Sequence, residues 1–189
     1  MIIFRLNVMI FMSLSAFVYS CANPFSSRPV EEPDGIAADL VFPGSADEWV
    51  ATFADAHMDA NLQQYTRLFQ DSLASDFQFQ FVPEITQRGI LSQWSQEDEF
   101  LHFQNFTSAV SQIDLSFSNR EEDNFVDSIF IDVSYRLRYI SEQRREEYNG
   151  DSLFKLKFVN SYYVLYYWQD FSSTATRGDS TWSLLKSKY

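Results

Sequence analysis

Ile129-Phe130-Ile131-Asp132-Val133-Ser134-Tyr135-Arg136-Leu137-Arg138-Tyr139 alternates apolar and polar side chains from Ile131 to Tyr139, with Ile129 in the same phase. A period of two is the mark of a strand with one buried and one wet face. Ile129, Ile131, Val133, Tyr135, Leu137 and Tyr139 form the apolar face, and Asp132 falls on the polar side with Ser134, Arg136 and Arg138. That placement gives Asp132 a surface ion-pair role rather than an interior one. Downstream, Phe154, Leu156 and Phe158 alternate with Lys155 and Lys157, and a further strand runs from Tyr162 to Phe171. Val159-Asn160-Ser161 between them reads as a hairpin, because asparagine tolerates the left-handed backbone of such a turn. The charged, turn-rich stretch 141–150 reads as the connection of another hairpin.

Upstream, Ile113, Leu115 and Phe117 make one more strand, and Phe77, Phe79 and Phe81 make a half-buried one ended by Pro83. Between these two strands a helix is expected from about Gln96 to Val110, with Phe100, Phe103, Phe106 and Val110 on one stripe. The same phase leaves His102 facing solvent. An earlier helix starts at Ser45, where Ser45 and Glu48 have the spacing of a capping box. Trp49, Phe53 and His57 follow at four-residue steps. A second helical segment is expected from about Asp59 to Leu73, with Tyr65 on its apolar side. The tail Thr181–Lys188 reads as a short helix capped by Asp179 or Ser180, or as an edge strand; the helix is the preferred reading. Helices first and antiparallel strands last give an α+β layer structure. A strongly curved antiparallel sheet would wrap around the N-terminal helices as a cone with an apolar interior.

Aromatic residues are 17% of the 189-residue chain and glycines number five, which fits a tightly packed aromatic core with few tight turns. The net charge of −12 excludes a phosphate-backbone partner, so no nucleic acid is expected. The only basic doublet, Arg144-Arg145, precedes Glu146-Glu147 and reads as local ion pairs.

The end of the chain carries a resemblance. Tyr162-Tyr163-Val164-Leu165-Tyr166-Tyr167-Trp168-Gln169-Asp170, followed by Ser180-Thr181-Trp182-Ser183-Leu184-Leu185-Lys186, resembles the closing pattern of the nuclear transport factor 2-like (SnoaL-like) superfamily. The resemblance covers residues 45–188. It implies the cone, and it implies two classes of function, namely binding of a small apolar ligand or of another protein, and isomerase or cyclase chemistry on a hydrophobic carbonyl substrate.

The residues themselves favour binding. No nucleotide-binding glycine motif and no nucleophile elbow occurs. With two histidines and one cysteine, no metal site or cofactor is expected. Glu121-Glu122-Asp123 lacks the pattern of a calcium loop and reads as a solvated turn. His57, Tyr65, Tyr163, Trp168 and Asp170 are the candidate pocket or structural residues. Asp170 has two readings, an acid at the mouth of the cone or an acceptor for backbone and hydroxyl groups of 180–183, and the second is preferred.

At the other end, an apolar run reaches Phe17-Val18-Tyr19-Ser20-Cys21, and Cys21 is the chain's only cysteine. This resembles a bacterial lipoprotein signal, with Val18 and Ser20 in the two defining places. The resemblance implies removal of 1–20 and lipidation of Cys21 by a diacylglyceryl thioether and an acyl chain such as palmitate. The run Ile10–Tyr19 is short for a membrane span, which needs ~20 apolar residues. Residues 21–44 contain four of the five prolines and read as an extended tether, and 45–189 as the domain. The expected location is the bacterial cell envelope, on the outer membrane facing the periplasm. The expected partners are the membrane through its anchor, an envelope protein or a small apolar ligand, and a second copy through the open sheet.

Overall fold

A computed structural model of the chain describes residues 40–69, 77–89, 94–142, 144–173 and 180–189. Cys21, most of the tether, Leu73 and Asp179 lie outside the described residues. The first helix, α1, is Ala46–Met58. Ser45 Oγ accepts the Glu48 N–H at 3.2 Å, as the capping signature requires. The reciprocal bond goes one residue further back, where Glu48 Oε2 accepts the Gly44 N–H at 2.7 Å. The second helix, α2, is Leu62–Arg67, capped by the Asn61 side chain, and begins later than the spacing predicts.

A three-residue strand, β1 (Gln78–Gln80), precedes a short helix that the sequence reading lacks, α3 (Pro83–Gln87). Pro83 both ends the strand and opens this helix, where its missing N–H costs nothing. The long helix α4 (Gln96–Ala109) carries the full reciprocal capping box, between Ser95 and Asp98. The two Ser95 hydrogen bonds hold the Asp98 carboxyl below its usual range.

Four strands follow: β2 (Gln112–Asn124), β3 (Ser128–Ser141), β4 (Arg144–Val159) and β5 (Tyr162–Phe171). The last element is the helix α5 (Trp182–Lys186), with Thr181 rather than Asp179 or Ser180 at its N-cap. The sheet order is β1-β5-β4-β3-β2, antiparallel throughout except that β1 runs parallel to β5. Asn160 and Ser161 both have positive φ, as the tight β4–β5 turn demands.

Two strands are longer than their apolar alternation. Glu121, Glu122 and Asp123 are ladder residues opposite Asp132, Ile131 and Phe130, so the expected turn is strand. Most of the expected 141–150 connection is also strand, paired from Ser141↔Arg144 to Tyr135↔Gly150. Glu147 bonds Arg138, and Glu146 bonds Lys188, so cross-strand and tail cations replace the expected local pairing with Arg144-Arg145. Asp132 stands opposite Glu121 on the outer face. Partial burial, then the neighbouring Glu121, Asp123 and Asp151 charges, push its carboxyl up, so like charge replaces the expected ion pair.

A bulge at 118–121, with Asn119 at positive φ, and another at Lys155/Leu156 bend the sheet. Its inner face closes on α1, α2 and α4. Trp49, Phe53 and His57 lie along one line, with ring centroids 5.1 Å and then 4.6 Å apart. Phe53 meets Phe154 and Trp168 from the sheet at 5.4 and 5.6 Å. Tyr65 stacks on Phe103 at 3.9 Å. No helix among the described residues is long and apolar enough to cross a membrane.

Candidate functional site

The interior is organised around α5, whose two ends are each fastened to a buried carboxylate. At its first turn the Ser183 N–H and hydroxyl both donate to Asp170 Oδ2, at 2.7 and 2.6 Å. The Tyr135 hydroxyl donates to Asp170 Oδ1 at 2.8 Å and accepts the Trp182 N–H at 2.8 Å. Ser183 Oγ also accepts the Val82 N–H at 3.0 Å, tying the residue before α3 to the same point. Tyr135 reaches this position because its cross-strand partner is Gly150. A Cβ there would stand 2.7 Å from the Tyr135 hydroxyl and 2.6 Å from the Phe171 carbonyl oxygen. Burial pushes the Asp170 carboxyl up to about 6, against the pull of its Ser183 and Tyr135 hydrogen bonds.

At the far end of α5, the Lys186 ammonium is paired with Glu99 Oε2, both side chains being fully buried. Glu99 holds two more donors, the Trp94 indole N–H on Oε2 and the Tyr65 hydroxyl on Oε1, each at 2.7 Å. The Lys186 Nζ also lies 4.3 Å from the Trp168 ring centroid, 4.5 Å from Phe79 and 5.3 Å from Trp94. Burial pushes the Lys186 ammonium down, and Glu99 opposes it. Burial, then Glu99, push the Tyr65 hydroxyl well up.

Both histidines are interior. His57 Nδ1 is 2.8 Å from the Phe53 carbonyl oxygen, and its ring lies against Tyr65, Phe103 and Trp182. Burial pulls its pKa down to about 3, so it is a neutral imidazole. His102 is buried between Trp94 and Phe106 instead of facing solvent, and burial pulls it well below the usual range. Its Nδ1 and the Trp182 indole N–H lack a hydrogen-bond partner among the described residues.

Of the residues singled out in the sequence, His57, Tyr65, Trp168 and Asp170 meet in this interior. Trp168 donates its indole N–H to Ser152 Oγ at 3.2 Å and packs on Trp182 at 5.3 Å. Tyr163 stands apart at the start of β5, half-buried beside Phe158, and its N–H donates to the Pro43 carbonyl. Glu99, Lys186 and His102 were missed as interior residues, and Tyr135, placed on the buried face of its strand, was given no role for its hydroxyl. A signal existed for Tyr135, which alternates in phase with Val133 and Leu137 and so must carry its hydroxyl inward. Glu99 sits four residues before Phe103, on the buried face of α4.

Among the described residues no three histidine, cysteine, aspartate or glutamate side chains are placed to hold a metal ion. Among the described residues, two of the recesses that open outward are sizeable. One, of about 520 Å³, runs beside β1 over Phe79, Phe81, Pro83 and Tyr167. The other, of about 400 Å³, lies over Ser116, Ser134, Arg136, Asn149 and Asp151.

No protein-family model matches the chain. No curated protein is similar to it in sequence. Solved structures are similar in fold. A nuclear transport factor 2-like superfamily protein from Salmonella enterica serovar Typhimurium is 8% identical over 70% of this chain and 92% of its own, with a TM-score of 0.55. A protein from Streptomyces avermitilis, proposed to be a dehydratase of the NTF2-like family, is 6% identical over 67% of this chain and 92% of its own, with a TM-score of 0.55. A protein from Novosphingobium aromaticivorans, proposed to be a scytalone dehydratase, is 9% identical over 66% of this chain and 78% of its own, with a TM-score of 0.54. The helices packed in a bent sheet, with β1 added in parallel beside β5, therefore have the nuclear transport factor 2-like fold.

Proposed function

We propose that the chain is a non-catalytic, lipid-anchored domain of the bacterial cell envelope that binds another envelope protein. The observation that carries this reading is the close aromatic packing of the interior among the described residues. A carrier of small apolar ligands needs several hundred Å³ of enclosed, aromatic-lined space. Here Trp49, Phe53, Tyr65, Phe103, Trp168 and Trp182 are fully buried, in ring-to-ring packing. The two interior carboxylates are spent on interior donors: Asp170 on Ser183 and Tyr135, Glu99 on Lys186, Trp94 and Tyr65. The apolar surface left over is outside. Phe125 and Val126 are exposed on the β2–β3 turn, and Phe158 is exposed beside it, its N–H donating to the Asp127 carbonyl at 2.9 Å. Exposed apolar side chains gathered at one end support protein contact. The anchor rests on Val18, Ser20 and Cys21, and the outer-membrane location on Ala22 and Asn23, which put no aspartate directly after the cysteine.

The test has two arms. Labelling with radioactive palmitate is expected for the wild type and absent for Cys21→Ala. Crosslinking on intact cells, then purification in detergent, is expected to yield one stoichiometric protein that Val126→Asp loses. A small molecule retained by the purified domain in native mass spectrometry, with no protein captured, overturns the reading.

One observation favours the alternative, an isomerase or cyclase acting on a hydrophobic carbonyl compound. Asp170 is a buried carboxyl raised to about 6 beside a tyrosine hydroxyl, a combination suited to proton abstraction. The dehydratase assignments of two fold neighbours lend analogy only. Against it, Ser183 and Tyr135 take the oxygens that a base would need. Deuterium exchange next to a ketone, lost in Asp170→Asn, would decide for the enzyme.

A further inference from the structure

The surroundings of Lys186 are more elaborate than an ion pair needs. A buried lysine requires one counter-charge. Lys186 has the Glu99 carboxylate and, within 5.3 Å of its Nζ, the ring centroids of Phe79, Trp94 and Trp168. Carboxylate and ring faces both favour a cation, and desolvation strengthens both. The carboxylate does not depend on Lys186 for its orientation. The Tyr65 hydroxyl holds one oxygen and the Trp94 N–H the other, each at 2.7 Å. These two donors are neutral, so they fix the anion without cancelling its charge. A preorganised carboxylate among aromatic faces is the chemistry that recognises alkylammonium groups.

We propose that this cage is an organic-ammonium site occupied in cis by Lys186, a ligand that α5 carries in on its last turn, and that free alkylammonium ions enter the cage when Lys186 is withdrawn. The proposal is independent of the partner protein argued above. A cluster that merely fills space would accept any apolar chain of the right size. A cation site would discriminate by charge.

Lys186→Ala removes three carbons and the nitrogen, the atoms of n-propylammonium. In the purified full chain, this variant is expected to melt lower than wild type and to regain melting temperature, in a saturable manner, with n-propylammonium chloride. The half-saturating concentration should be at least roughly tenfold lower than for 1-propanol, its neutral isostere. Wild type should show neither response, and Lys186→Ala with Glu99→Gln should lose the preference for the cation. Equal rescue by the two compounds, the same response in wild type, or a preference that persists without the Glu99 charge overturns the proposal. Should Lys186→Ala not fold unaided, the yield of refolding with each compound reads the same preference, and equal yields overturn it.

Discussion

The two ends of α5 meet two buried carboxylates, and the two are satisfied in opposite ways. Asp170 takes neutral donors, the Ser183 N–H and hydroxyl and the Tyr135 hydroxyl, and its carboxyl is raised to about 6. Glu99 takes two neutral donors and a cation, Lys186. A buried carboxyl with only neutral partners can relieve its desolvation by taking a proton. A carboxylate facing a buried ammonium answers its partner's charge, and removal of either strands the other. The first arrangement is a latch that responds to pH; the second responds to loss of its counter-ion.

The contrast breaks most severely at Lys186. Lys186→Met keeps the apolar stem but leaves Glu99 uncompensated, at an expected cost of about 4 kcal/mol in urea unfolding at pH 7. A cost below about 1 kcal/mol would mean that the aromatic faces, not the charges, hold this end. At the Asp170 end the expected signature is a pH dependence. Because its folded pKa is above the ordinary 3.8, Asp170 adds stability that is full below about pH 4 and is lost as pH rises through about 6. Between pH 4 and pH 7 the stability balance should therefore move by about 3 kcal/mol away from wild type and toward Asp170→Asn. A difference flat with pH would place the carboxyl in ordinary surroundings.

The neutral donors sharpen the comparison further. Tyr65→Phe removes one of three donors to Glu99 and should cost about 2 kcal/mol, the range for hydrogen bonds to charged groups. Thermal denaturation that finds no loss would show that Trp94 and Lys186 suffice. The smallest effect belongs on the outer face. Asp132→Asn removes a carboxylate crowded by Glu121, Asp123 and Asp151 and should stabilise by a few tenths of a kcal/mol, since solvent screens the repulsion.

The sheet was legible where one face is buried and one is wet. Ile129 to Tyr139 alternate because the inner positions pack on the helices, and burial falls where that pattern places it. The same rule fails for Glu121-Glu122-Asp123 and for Arg144 to Glu147. There the ribbon extends with polar side chains, held by backbone pairing and by side-chain bonds such as Arg138–Glu147, without an apolar face. On α4 the Phe100–Phe103–Phe106 stripe was offset from the buried face. His102 and Glu99 are buried, Phe100 only partly so, because two polar side chains found interior surroundings that an apolar count does not register. Asp170 as an acceptor for the 180–183 segment was readable, since Trp168 and Trp182 bracket it. Its Tyr135 partner was not, because that bond spans 35 positions. Glu99 with Lys186 was still less so, at a separation of 87.

Those separations bear on how the domain is made. The Ser183 hydroxyl receives a bond from an N–H 101 positions earlier, and Lys186 answers a charge 87 positions earlier. Every other described element precedes α5 in the chain, whether the chain emerges from a ribosome or across a membrane. Until α5 arrives the nascent domain holds an unanswered carboxylate and an unlatched aromatic interior. Closure is therefore expected to be a late, nearly all-or-none event in folding, and a chain that lacks α5 a target for proteases.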